Sequence, residues 1–330
     1  MSEQTHLTAV EVALLSILSN NQFHSGDKLA EHFDVSRAAI SKWIKQLNEK
    51  QIAIHSVKGK GYQLAQYIQL IDEHKLKQQL CELLTVDYQV VSDSTNDTVK
   101  QYFKNNQSNI LAITEQQLAG RGRRGRQWVS PFAQNLYFTL GLELDLPISE
   151  LSGLSLAVGL SLTETLNRLA IPAKLKWPND IYIEGKKVAG ILVELDGAFD
   201  SPCRVIIGVG ININMQVGQH TQAIDQDWTS LSIFSGKIWS RTQLAQQLSE
   251  PLYQDIELFT QHGLKNKVEL WQSYDHFYRR PIRLIMPNNE IAGVGRGIDE
   301  SGALLLETAN GIERFIGGEI SVRGMVGQEK

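Results

Sequence analysis

The period of the hydrophobic pattern changes along this chain, and that change limits the folds open to it. Leu7, Val10, Leu14, Leu15 and Leu18 recur at helical spacing, and so do Ile40, Ile44 and Leu47. From 281 to 323 the pattern is instead five short apolar runs: 281–286, 291–298, 303–307, 312–315 and 320–323. The turn signals Pro287-Asn288-Asn289, Asp299-Glu300-Ser301-Gly302 and Asn310-Gly311 separate them. Between the two regions, helical and strand periods alternate. A helix and a strand bury different faces, so the three regimes predict three domains, at 1–66, 67–275 and 276–330. A chain of 330 residues has room for them.

In the first region, Ser25-Gly26 opens a short second helix with Leu29, Ala30 and Phe33 on one face. Asp34-Val35-Ser36 makes a tight turn, and Ser36 is a good N-cap for a third helix. Two helices so briefly joined read as a helix-turn-helix. Residues 52–64 then alternate with period two around Lys58-Gly59-Lys60-Gly61, a hairpin that can serve as a wing. Charge supports a DNA-binding reading. Residues 1–35 hold one Lys or Arg against five Asp or Glu, whereas residues 36–66 hold six against one. The third helix of such a module enters the major groove while basic groups sit on phosphates. The candidates are Ser36, Arg37, Ser41, Lys42, Lys45, Lys58 and Lys60, the last two as phosphate contacts. The alternative is a helical interaction module with a solvated basic face. The whole chain carries a net charge of −4, so any nucleic-acid role is local.

After a linker at 66–69, an amphipathic helix is expected over 72–84. Strands at 89–91 and 110–114 and a helix at 95–103 follow. Next come a strand at 136–142, a helix at 151–169, strands at 175–177, 181–183, 188–195 and 205–213, and helices at 241–262 and 267–273. Blocks of this kind predict an α+β fold with a mixed sheet and helices on one face. The last region reads as a small five-stranded barrel, SH3-like in size. From it Glu319 and Arg323 are placed to reach back toward a central site.

Four clusters in the central region can carry chemistry. Residues 120–128 read Gly-Arg-Gly-Arg-Arg-Gly-Arg-Gln-Trp, too polar for a core and suited to closing over an anion. The opening literally matches G-x-G-x-x-G, but the sequence that follows, Arg126-Gln127-Trp128-Val129-Ser130-Pro131, cannot open the helix a dinucleotide fold requires. Asp93-Ser94-Thr95-Asn96 lies where a strand ends and a helix begins, either as a plain N-cap or as a grip on a polar ligand. Glu115-Gln116-Gln117 leads into the Gly/Arg stretch. Lys176-Trp177-Pro178-Asn179-Asp180 and Lys186–Leu192 form the next cluster. Its Lys176 either snorkels to the surface or meets an anion in a cleft. The small residues of Gly208–Asn214 let something approach the backbone, or mark a bulged strand.

Cys81 and Cys203 are the only cysteines and give neither metal spacing nor a disulfide framework. The first six residues are polar without an apolar signal core, and no run approaches the roughly 20 apolar residues of a membrane span. The cytosol is the expected compartment.

Taken in order, Gly120-Arg-Gly-Arg-Arg-Gly-Arg, Lys176-Trp-Pro-Asn-Asp and Lys187-Val-Ala-Gly-Ile-Leu-Val-Glu resemble the biotin protein ligase family. The His24–Leu47 segment and the Gly59-Lys-Gly-Tyr hairpin make the chain similar to its bifunctional bacterial members, which also repress the biotin operon. The resemblance covers all three regions and shows no departure in the motifs. It implies a class II synthetase-like central sheet that makes biotinyl-5′-AMP from biotin and MgATP, then passes biotin to a lysine of the biotin carboxyl carrier protein of acetyl-CoA carboxylase. It further implies that the adenylate is the corepressor of a homodimer that binds operator DNA. By motif match, Ser94, Thr95, Asn96, Gln117, Arg121, Gly122, Arg123 and Lys187 hold biotin. Gly120, Arg124, Arg126, Trp128 and Asn212 hold the adenylate. Lys187, Arg121 and Arg123 are the catalytic candidates, and Asp180 is the weaker candidate for magnesium. Repulsion among four arginines suggests a loop that is disordered until the adenylate orders it. The residues leave open a sensor that has lost catalysis, a ligase for lipoate, and a ligase whose first domain binds no operator.

Overall fold

Thr8 starts the first helix with a capping box. Its hydroxyl accepts from the Glu11 amide, and the Glu11 carboxylate accepts from the Thr8 amide at 2.7 Å. The helix, α1 (Ala9–Leu18), buries Leu14, Leu15 and Leu18. Val10 is not with them and is 37% exposed. Glu11 takes the inward place because Lys50 reaches its carboxylate at 2.7 Å, so one of the six cations counted in the basic half faces inward. α2 (Gly26–His32) and α3 (Arg37–Glu49) are capped by Ser25 and Ser36. The chain reverses between them at Asp34, whose φ is 51°. β1 (Ile54–Val57) and β2 (Gly61–Leu64) pair antiparallel as the wing. Gly61 has a φ of 105°, and a Cβ there would lie 2.0 Å from the His24 carbonyl oxygen, so the residue is a steric requirement.

This computed structural model describes residues 7–20, 22–50, 52–65, 68–197, 203–287, 289–317 and 320–324. Glu319, expected to reach the site, lies outside them, as do Gln66 and Tyr67 at the expected linker.

The central sheet has seven strands in the order β3-β4-β5-β9-β8-β7-β6. They are β3 (Thr85–Ser92), β4 (Ile110–Gln117), β5 (Leu136–Leu144), β6 (Lys174–Lys176), β7 (Asp180–Ile183), β8 (Lys186–Asp196) and β9 (Cys203–Ile211). β3 and β4 run parallel and every other pair is antiparallel, so the sheet is mixed. The helices are α4 (Glu73–Leu80), α5 (Thr95–Lys104), α6 (Leu154–Arg168), α7 (Leu231–Ser235), α8 (Arg241–His262) and α9 (Val268–Tyr274). α4 stops short of the expected Leu84, where a turn with Leu84 N–H to Leu80 O at 2.8 Å leads into β3.

The expectation of helices on one face is corrected. In β4, Leu111 and Ile113 join the core that includes residues of α4, α6 and α8, while Ile110 and Ala112 pack with Val99 and Phe103 of α5. α5 therefore covers the opposite face. Both sides of β4 are apolar, so period two could not announce which side a helix takes.

The C-terminal sheet, in the order β13-β12-β11-β10-β14, is antiparallel and SH3-like. Its strands are β10 (Pro281–Ile285), β11 (Glu290–Ile298), β12 (Leu304–Thr308), β13 (Gly311–Phe315) and β14 (Ser321–Gly324). Among the contacts that join the three regions, two stand out. Phe132 and Ala133, in the segment before β5, enter the core of the helix-turn-helix, and the Trp177 indole N–H donates to Gly302 O at 3.1 Å.

Candidate active site

The site is built on the α5 side of the sheet, where the strands carry glycine. A Cβ on Gly208 would stand 2.3 Å from Asn96 Oδ1. One on Gly210 would stand 2.5 Å from Trp128 Cε2, and one on Gly190 would stand 3.0 Å from Trp128 Cζ3. These glycines leave a floor low enough for two ligand-sized groups in succession. Asn96 marks one place and Trp128 the next, two residues or about 7 Å along β9.

At the first place the β3–α5 corner is polar. Gln117 Oε1 accepts from the Thr95 amide at 3.0 Å, and Thr139 Oγ1 lies 2.7 Å from both Thr95 Oγ1 and Asn96 Oδ1. Ser94 occupies the N-cap position of α5, is buried and makes no side-chain cap bond. The plain-cap reading of this cluster therefore fails for Ser94. Glu115 belongs to structure instead. It is fully buried and paired with Arg241, and its carboxylate accepts from Tyr88 Oη at 2.8 Å and from the Ile71 amide at 2.6 Å.

The Gly/Arg stretch closes on itself. Gly122 N–H donates to Arg126 O at 2.7 Å and Trp128 N–H to Gly120 O at 2.9 Å. Arg124, with φ 60°, and Gly125, with φ 69°, turn the chain. Three guanidiniums are partnered separately. Arg121 grips Asp97 through two bonds of 2.6 and 2.7 Å, Arg123 donates to Asn179 Oδ1 at 3.1 Å, and Arg124 donates to Ser321 Oγ at 3.3 Å. Of these contacts only that of Arg121 brings in a carboxylate. Burial, with Arg124 nearby, pulls the Arg123 pKa below the ordinary guanidinium value.

Opposite the loop, Lys187 Nζ lies 2.7 Å from Asp180 Oδ1 and 5.4 Å from the Trp128 ring centroid. Lys176 resolves the choice left by its sequence. It does not snorkel. It is buried, lines the cavity and donates to Tyr182 Oη at 2.6 Å. Burial pushes its pKa down to about 8, with Arg323, Lys187 and Arg126 adding to the fall and Asp180 opposing it. Among the described residues no group of three or more His, Cys, Asp or Glu gathers to hold a metal. Asp180 is thus a single carboxylate, already facing a lysine. A lone carboxylate can nevertheless serve magnesium, which usually takes its other ligands from substrate phosphates and water.

One cavity of about 310 Å3 is lined by Ser94, Thr95, Asn96, Gln117, Arg121, Gly122, Arg123, Arg124, Arg126, Trp128, Asp180, Lys187 and Asn212. Gly120 is the one ligand candidate that stands off it. It forms the loop's neck, where a Cβ would meet Trp128 O at 2.8 Å. Asn212 faces the cavity with its amide already engaged, donating to Thr229 O at 3.0 Å. Sequence reasoning gave no role to the lining residues Asp225 and Trp228, and placed Lys176 and Asn179 in a reactive cluster without assigning either to a ligand. The rarity of a lysine in an apolar strand was the one available signal. Arg323 does line the cavity, with Ile320, Ser321 and Val322 beside it.

The DNA candidates stand apart on the helix-turn-helix, where Arg37, Ser41, Lys42, Lys45, Lys58 and Lys60 are exposed. The Ser36 hydroxyl is used as a cap, accepting from Ala39 N–H at 3.2 Å. Arg37 has Asp27 at 3.8 Å, and Lys45 has Glu49 at 3.8 Å.

Residues 88–212 match the biotin/lipoate A/B protein ligase family, 12–63 an HTH domain and 280–323 the biotin protein ligase C-terminal domain. The chain is 41% identical to the bifunctional ligase/repressor BirA of Salmonella typhimurium over 96% of this chain and 98% of that one. It is 32% identical to that of Bacillus subtilis, over 92% and 95%. It is also similar to the structure of biotin protein ligase from Aquifex aeolicus in complex with biotin and ATP. There the identity is 30% and the TM-score 0.63, over 73% of this chain and 99% of that one.

Proposed function

The chain belongs to the biotin protein ligase family, among its bifunctional ligase/repressors, and we infer from that membership what each part of the molecule does. It activates biotin with ATP to biotinyl-5′-AMP, transfers biotin to a lysine of the biotin carboxyl carrier protein, and represses the biotin operon. The work divides among residues 1–66 for DNA, 67–275 for catalysis and 276–330 as a cap on the nucleotide end.

The observation that carries the residue roles is the polarity of this 310 Å3 cavity. Neutral groups of Thr95, Asn96 and Gln117, with Ser94 beside them, gather at the β3–α5 corner, and the cations Arg123, Arg126, Lys176, Lys187 and Arg323 stand among the other lining residues together with Asp180 and Asp225. Biotin has a neutral ureido ring and an anionic tail, so its ring belongs at the β3–α5 corner and its carboxylate toward Lys187. Arg121 and Gly122 close the biotin side. Trp128, on its glycine floor, offers a face to adenine. Gly120, Arg124, Arg126 and Asn212 frame the adenylate. In the first step a biotin carboxylate oxygen attacks the α-phosphorus of ATP, the bond to the bridging oxygen breaks, and pyrophosphate leaves. No proton moves. Two anions must meet, so the main task is charge stabilisation by preorganised cations. Lys187 supplies it by exchanging Asp180 for the reacting carboxylate and phosphate, with Arg123 beside it. Asp180 is the side chain that would hold a magnesium ion brought with ATP, which would offset phosphate charge there. In the second step the carrier lysine's neutral amine attacks the acyl carbon, the acyl–phosphate bond breaks, AMP leaves and the amine proton goes to solvent.

Repression uses α3 and the wing. A dimer sets two such modules on two half-sites, and the adenylate-bound homodimer is the form that fits an operator so arranged. The cytoplasm is its proposed site of action; among the described residues no helix is long and apolar enough to cross a membrane.

The test is biotin-dependent ATP–pyrophosphate exchange. Wild type exchanges label, and Lys187→Ala lowers the rate by about 10²–10³-fold, the usual result of losing one charge-stabilising donor. Exchange that is absent from wild type, or unaltered by the substitution, refutes these assignments.

A further inference from the structure

Arg121 is held by counter-charges at the entrance of its loop. Asp97, in the first turn of α5, takes it through two bonds of 2.6 and 2.7 Å, and Glu194 of β8 stands 3.8 Å away. Glu194 also accepts from Asn96 Nδ2 at 2.6 Å and from Lys100 Nζ at 2.9 Å, and Lys100 is 3.6 Å from Asp97. Two cations and two carboxylates thus form one network with no net charge to offer a phosphate. The network's position is equally telling. The chain entering the loop is already laid against the β3–α5 corner, with Leu118 N–H bonded to Ser92 O at 3.0 Å and Ala119 N–H to Asp93 O at 2.9 Å. The Arg121–Asp97 pair extends that seam to the first loop residue beyond Gly120, and Glu194 continues it under Asn96.

We propose that Arg121 is a positioning residue and not a phosphate ligand: its pair with Asp97 seats the start of the Gly/Arg loop on the β3–α5 corner and so shapes the biotin pocket. Asp97 is the partner through which it acts, and Glu194 braces both. The proposal rests on the ligase reading for its link to biotin, but the seam itself exists without ligand. Mutual charge stabilisation supports it. The Arg121 guanidinium, ahead of Lys100, holds the Asp97 carboxyl below its usual range, and Asp97 raises the Arg121 guanidinium.

A double-mutant cycle on the full chain tests it. Arg121→Gln and Asp97→Asn each raise KM for biotin about tenfold, as expected for a charge-assisted bond at a half-exposed place. They leave kcat of exchange and KM for ATP nearly unchanged, and the double variant is no worse than either single. Asp97→Glu, which keeps the charge, recovers part of the loss. If Arg121→Gln lowers kcat about a hundredfold or raises KM for ATP while Asp97→Asn does neither, or if the two effects add, Arg121 is a phosphate ligand and the proposal is wrong. Amide hydrogen exchange in the ligand-free protein supplies a readout independent of activity. Both single variants speed exchange across 118–122 equally, and unchanged rates overturn the clamp. Wild type that fails to exchange pyrophosphate sinks the ligase reading, whereas the hydrogen-exchange arm still decides the clamp.

Discussion

Lys176 illustrates how one residue's meaning depends on its surroundings. In sequence it is a lysine beside Trp177 in a strand of apolar neighbours. In the fold its ammonium is buried against Tyr182 Oη, and burial takes its pKa from the ordinary 10.5 to about 8. The direction fixes two consequences. Below pH 8 the ammonium is charged and, in the proposed placement of ATP, attracts its phosphates. Above it the charge is lost, so KM for ATP rises with pH by up to about tenfold per unit. Between pH 8 and 10.5 the unfolded chain holds a proton that the native chain has released, so stability from this group rises with pH through that window. Lys176→Met removes both trends, which KM measurements from pH 7 to 9.5 and melting curves to pH 10.5 will reveal. Ser94, Thr95 and Gln117 were legible from residue type and motif. Asp97 and Glu194 were not, because an acidic residue in the first turn of a helix, or at the end of a strand, ordinarily needs no partner.

At the scale of elements, β4 shows the limit of periodicity. Its inward and outward residues are both apolar, so the pattern named a buried strand and left the position of α5 undecided. α7 escaped notice because five residues are too few for a helical period to appear. Glu115 had looked like part of a reactive cluster leading into the loop. It is instead the hub that joins β4, α8 and the linker after the helix-turn-helix, since Arg241 also donates to Gln69 O at 2.6 Å and to Asn135 O at 3.2 Å. Cutting one half of this buried pair strands the other charge. Arg241→Met is expected to cost about 3–5 kcal/mol, and adding Glu115→Gln to recover much of it. Urea unfolding of the two variants and of wild type measures both.

For the whole molecule, charge is partitioned: the chain has a net charge of −4, yet α3 and the wing expose Arg37, Lys42, Lys45, Lys58 and Lys60. Operator binding is therefore expected to weaken with salt. Lys42→Ala reduces the slope of log affinity against log salt by about 1 if that lysine meets one phosphate, and anisotropy titrations at several salt concentrations will detect it. The helix-turn-helix is also not an independent appendage. Phe132 and Ala133 enter its core only four and five residues after Trp128, which lies on the floor of the ligand cavity. The sequence by itself determined the three regimes of secondary structure, the family and most of the residues that line the cavity, because period, turn chemistry and motif spacing are local properties of a chain. Tertiary structure alone decided that Lys176 is buried, that Arg121 is matched by Asp97 and Glu194, that Glu115 is a structural hub, and that Phe132 belongs to another domain's core. Each of these depends on which distant charge or apolar surface lies within a few ångströms, and no local pattern records that distance.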